Sequence, residues 1–233
     1  MGTSRTRPVA TPDGSARNER WARYGESYVD GSLNRDQSFA GEGTYFVAIT
    51  PTAGTGVIGH AAPTTFDEAK PYLVLYNGGS NYIYPQFLTL YETVAGIGHT
   101  RVQFTLSVDN TDRRSSAGTA LVINNVNMTS DITSGATGYV GAVVGTAATG
   151  ARRLLGNYPF RGTIDIIEDS YTMIFGGHSG GSHSASRVAT VQDHVRVVPP
   201  VVIGPGESFL VTQWAGSQST GPTFEVVLGF VER

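Results

Sequence analysis

Apolar and polar positions along the chain fall into two regimes. Residues 1–43 are polar, carry Gly and Arg, and show no sustained period. From residue 44 onward, short apolar runs alternate with stretches of Gly, Ser, Thr, Asn and Pro, the punctuation of strands and turns. The run at 99–109 alternates cleanly. Val102, Phe104, Leu106 and Val108 face one way and Arg101, Gln103, Thr105 and Ser107 the other, which predicts an antiparallel strand with one wet face. In the final run, 223–232, Phe224, Val226, Leu228 and Phe230 share one face. Val227 and Val231 lie on the opposite face with Glu225 and Gly229. A strand apolar on both faces belongs between two layers or at a subunit contact, so Val227 and Val231 are the candidate oligomer contact.

Turn chemistry orders these runs. Asn-Gly-Gly-Ser-Asn at 77–81, between apolar runs at 72–77 and 82–95, predicts a β-hairpin. The polar loop 216–222 between 207–215 and 223–232 predicts a second, closing hairpin. Pro85 cannot donate to a ladder, so its strand is expected to lie at an edge or carry a bulge there. Further runs at 44–50, 120–126, 139–148 and 171–175 bring the expectation to about nine strands. No internal repeat is present, which disfavours a propeller or solenoid. The expected fold class is therefore all-β: an antiparallel β-sandwich, jelly-roll-like, formed by a single domain at 44–233. Ahead of it stands an extended N-terminal arm, 1–43, with a short helix at 13–24 as the other reading of its centre.

Composition sharpens this picture. Charged residues make up only 15% of 233, so the surface must be largely Ser, Thr, Asn, Gln and Gly. Thirty glycines fit many turns between short strands better than they fit helices. The absence of cysteine excludes disulfides and thiolate metal sites. No apolar run reaches the length of a membrane span, and the first residues lack the apolar centre of a signal peptide, so a protein kept or assembled in a bacterial-type cytoplasm is expected. The net charge of −3 divides unevenly: residues 1–23 carry +3 and the rest −6. Arg5, Arg7, Arg17, Arg20 and Arg23, with Trp21, Tyr24 and Tyr28, give the arm the residue types that concentrate binding energy at interfaces. A basic arm docking on an acidic protein surface fits this split; direct nucleic-acid binding wants a denser basic surface.

Candidate chemistry is sparse. Gly177-His178-Ser179-Gly180-Gly181 resembles the sequence around the nucleophile of trypsin-like proteases, and His60, Asp109 and Ser179 follow that chain order. His178 stands where the family has aspartate, and a Gly/Ser loop yields such strings by chance, so a serine hydrolase is only a remote alternative. His178 and His183 are too few for a closed metal site within one chain. Asp109 and Asp112 lack calcium-loop spacing and are expected to bond their own turns. Glu92 sits among apolar residues with no carboxylate partner in view. No catalytic residue, metal or cofactor is assigned.

The stretches 24–77, above all AGEGTYFVAITPTAGTGVIGHAAPTTFDEAKPYLVLYN (40–77), RSSAGTALVINNVNM (114–128), GPGESFLVTQW (204–214) and FEVVLGFVER (224–233) together resemble virion structural proteins of tailed bacteriophages, of the jelly-roll head-decoration or cement type. The resemblance covers most of the chain after its first twenty residues. It implies a non-enzymatic protein that coats or cements a capsid, with the major capsid protein lattice as partner and a homotrimer as assembly. It implies a place on the capsid surface after assembly in the host cytoplasm, with no membrane or direct nucleic-acid contact. The alternative reading is a receptor- or carbohydrate-binding β module of a tail or fibre, with Tyr82 and Tyr84 as stacking aromatics.

Overall fold

In a computed structural model of the chain, the described residues are 35–61, 63–97, 102–146, 151–160, 169–176 and 193–233. Phe39–Arg233 forms one compact unit, which begins slightly ahead of the boundary expected at 44. A short helix, α1 (Arg35–Gly41), precedes the first strand. The strands then follow as β1 (Tyr45–Ile49), β2 (Val57–Ile58), β3 (Leu73–Asn77), β4 (Ile83–Val94) and β5 (Gln103–Asp109). Five short ones come next: β6 (Arg114–Ser116), β7 (Thr119–Ala120), β8 (Val122–Asn125), β9 (Ala136–Val140) and β10 (Val144–Gly145). The last are β11 (Arg153–Pro159), β12 (Ser170–Phe175), β13 (Asp193–Val198), β14 (Ser208–Trp214) and β15 (Thr223–Glu232).

They build a mainly antiparallel β-sandwich. One sheet runs β13-β12-β4-β15-β1-β8, with β2 added on β15; the other runs β11-β5-β14-β3-β9-β7, and β6 pairs β10 separately. Eight of these strands carry a nested pairing. First meets last (β1 with β15), second meets seventh (β3 with β14), third meets sixth (β4 with β12), and fourth meets fifth (β5 with β11), all antiparallel. With β15 beside β4 and β14 beside β5, this is the strand order of a jelly roll. Strand β13 lies parallel to β12 outside that scheme.

The nesting overturns two local expectations. β3 and β4 flank the Asn-Gly-Gly-Ser-Asn turn but belong to different sheets, so they form no hairpin. Asn77 shapes the crossing: its side-chain amide donates to Asn81 O (2.7 Å) and Ile203 O (3.0 Å) and its Oδ1 accepts from Gly79 N–H. β14 and β15 likewise sit in opposite sheets rather than in a closing hairpin. Turn residues report that the chain reverses; they do not report which layer receives the next strand. The run at 120–126 is similarly divided, with β7 in one sheet, β8 in the other, and Leu121 buried between them.

The core fills the space between the sheets. Phe224, Val226, Leu228 and Phe230 are all 0% exposed, as their shared face predicts. Phe104 from one sheet meets Phe224 and Tyr171 from the other at centroid distances of 5.8 and 5.7 Å. Pro85 sits as expected: the β4–β15 register shifts between its pair with Phe230 and the Phe87–Gly229 pair, and β12 pairs β4 only from Phe87 onward.

Candidate functional site

The two outer faces of the sandwich differ, and the difference defines the surfaces available for function. On β5, β14 and β3 the residues pointing away from the core include Thr105, Ser107, Ser208, Leu210, Thr212 and Val74, yet each is buried. The expected wet face of β5 is thus dry at Thr105 and Ser107, while Gln103 keeps part of its surface exposed. Val143, beside β10, packs with Val74, Leu210 and Tyr139, and Thr105 Oγ1 accepts from Trp214 Nε1–H at 3.0 Å. The Ser208 hydroxyl donates to Thr111 O, tying down the loop that follows β5. The chain roofs this face itself.

That roof holds a buried ion pair. Arg113 donates to Asp109 Oδ2 at 2.7 Å, with side chains 1% and 0% exposed, and its guanidinium also donates to Thr146 O. Arg114 lies over the Tyr139 ring at 3.5 Å, and Arg152 pairs with Glu68. Arg113, Arg114 and Arg152 are thus engaged within the fold. Asp109 also accepts from the Thr111 hydroxyl, and Asp112 accepts from Arg114 N–H, so the aspartates of this loop bond their own turn.

The opposite sheet presents an apolar outer face. One row crosses all six main strands in register: Val195, Thr172, Thr89, Val227, Ile49, Val122. The next row reads Val197, Ile174, Phe87, Gly229, Val47, Asn124. All but Gly229 keep part of their surface exposed, and neither row contains a charge. At one end Glu225 accepts from Gly54 N–H at 3.1 Å. At the other end Val231 is 2% exposed, buried within a single chain, and so offers no side-chain surface to a second subunit; Val227 is partly exposed.

A polar cluster inside the sandwich escaped the sequence. Glu92 and Asp169 are both 0% exposed. Tyr171 donates its hydroxyl to Glu92 Oε2 at 3.2 Å, and Glu92 N–H donates to Asp169 O at 2.8 Å. The His194 ring stacks on Tyr171 (5.2 Å between centroids) with Nε2 3.9 Å from Asp169 Oδ2. General acid or base work needs contact with a substrate, and both carboxylates are sealed from solvent; the arrangement ties β4, β12 and β13 together. Only pairing across the sheet brings these residues together, and no sequence spacing announces it.

The remaining candidates separate. His60 Nε2 lies 2.7 Å from Val143 O and Asp109 is held by Arg113, so these two residues engage other groups and not each other. Ser179, His178 and His183 lie outside the described residues, as do the arm residues Arg5, Arg7, Arg17, Arg20, Trp21, Arg23, Tyr24 and Tyr28. Among the described residues no three His, Asp or Glu side chains gather as a metal site. A cleft of about 400 Å³ is lined by Asp109, Arg152, Arg153 and Glu207, but Glu207 already accepts from Gly204 N–H at 2.6 Å. Burial raises the Tyr72 hydroxyl well above its ordinary value; it donates to Val57 O (2.8 Å) or Phe224 O (3.2 Å). Compared with known proteins, the chain matches no family model, no curated protein and no solved structure.

Proposed function

We propose that this chain is a structural protein of a bacteriophage virion that decorates or cements the capsid through protein–protein contacts. The observation that carries this reading is the nested eight-strand pairing of β1 with β15 through β5 with β11. A jelly roll is a rigid, edge-managed scaffold well suited to assembly, and here its polar cluster is sealed from solvent. Jelly-roll domains serve many roles, so the fold supports this one by analogy, together with the sequence resemblance. The partner is the major capsid protein lattice, and the protein acts as a homo-oligomer. The basic arm supplies the anchor, because a net +3 over residues 1–23 complements an acidic shell surface. Mass spectrometry of gradient-purified particles tests this: the protein is expected at tens to hundreds of copies per particle, as symmetric lattices require. Its absence would defeat the reading.

A second reading, a carbohydrate-binding module of a tail or fibre, has one observation in its favour. Tyr82 exposes 51% of its surface just ahead of β4 and is available for stacking on a sugar ring. Glycan-array binding lost in Tyr82→Ala would support it; no binding to any glycan would count against it.

A further inference from the structure

We propose that the outer face of the β13-β12-β4-β15-β1-β8 sheet is the contact between two copies of this chain, packed face to face about a two-fold axis. The inference rests on sheet geometry and does not depend on the virion reading. Its centre is Thr89, Val227 and Ile49 in one row and Ile174, Phe87 and Val47 in the next, paired strand to strand. These residues point away from the core: their neighbours in sequence, Leu88, Leu90, Val226, Leu228 and Ala48, are 0% exposed on the other side. The chain buries the outer face of its other sheet under its own loops and leaves this one partly open. A contiguous apolar face of this kind marks an interaction site.

Three features commit the occupant to a second copy. First, area: the twelve residues of the two rows each take about 4.8 by 6.7 Å of sheet, which makes a face of roughly 390 Å². Two such faces together remove on the order of 800 Å², the size of a weak, concentration-dependent contact. Second, charge: with no ionised side chain in either central row, the face meets itself without like-charge repulsion. An acidic partner is better served by the arginines of residues 1–23. Third, shape: a pleated face of Val, Ile and Thr packs on another such face at about 10 Å, as sheets do in a sandwich core. A face complementary to itself closes as a two-fold pair, in place of the three-fold assembly that the sequence resemblance implies.

Sedimentation velocity of the full-length protein over a hundredfold concentration range tests this. The expected result is a species of two copies that Val227→Arg converts to monomer at concentrations at least tenfold above the wild-type midpoint. Ile49→Thr keeps a β-branched strand residue, so the fold is retained, and is expected to weaken the pair in the same direction. Leu154→Arg, on an exposed position of the other sheet, is expected to leave it unchanged. Far-ultraviolet circular dichroism checks the fold of each variant. A monomeric wild type, any other stoichiometry, or a pair insensitive to folded Val227→Arg or Ile49→Thr would overturn the proposal.

Discussion

Phe87 lies across Gly229: a Cβ built on Gly229 would come within 2.3 Å of Phe87 Cε1. The two residues are directly opposed on β4 and β15, next to the register shift at Pro85. The ring covers backbone that glycine leaves bare, a known device for rescuing glycine in a sheet. Gly229→Ala must displace the ring and is expected to cost about 1–3 kcal/mol, as overpacking does. In a Phe87→Ala background the same change is expected to cost far less. Urea denaturation of the four proteins in that cycle measures the coupling; additivity would show that the ring and the glycine are independent.

The Arg113–Asp109 pair makes a different demand. Both side chains are almost wholly buried, so removing either one strands the other without compensation. Arg113→Ala is expected to lose about 3–5 kcal/mol. Replacing both, as Asp109→Leu with Arg113→Met, is expected to recover most of that loss, because a buried pair repays its own desolvation poorly. Chemical denaturation of the single and double variants decides it; a double variant as unstable as Arg113→Ala alone would mean that the pair holds the roof over β5 and β14 by more than charge balance.

Tyr72 links stability to alkaline pH. Burial raises its folded hydroxyl above the ordinary value of 10.0, and Tyr158 is raised for the same reason. The stability tied to these groups is fully present below the unfolded value. It falls as pH climbs beyond about 10, where the unfolded chain releases protons that the folded chain retains. Tyr72→Phe is expected to be less stable by about 1 kcal/mol at pH 8, having lost a hydrogen bond, and to lose stability less steeply from about pH 10 to 11. Denaturation midpoints at these pH values read both effects. An unchanged alkaline slope in the variant would contradict the assignment.

What was legible in the sequence was what depends on neighbours in the chain. The inner row Phe224 to Phe230 follows from period two, and the irregularity at Pro85 follows from a missing N–H. The division of strands between sheets was not legible. Asn77–Asn81 and the loop after Trp214 look like hairpin turns, yet each carries the chain from one layer to the other. Burial of Thr105 and Ser107 was equally hidden, because the covering residues come from loops such as that around Val143, far along the chain. The meeting of Glu92 with Asp169 and Tyr171 depends on the antiparallel pairing of β4 with β12. The burial of Val231 was hidden for the same reason: alternation gives its side of the strand, while its burial is decided by what packs there.

The role proposed for this jelly roll is assembly on a virion capsid. The most direct measurement is a side-chain-resolution map of gradient-purified particles that carry the protein. The expected result is density for the β1–β15 sandwich repeated over the capsid lattice, with the segment before Phe39 reaching the shell. Density confined to the tail or fibres, or particles in which the sandwich is absent from every lattice position, would contradict it.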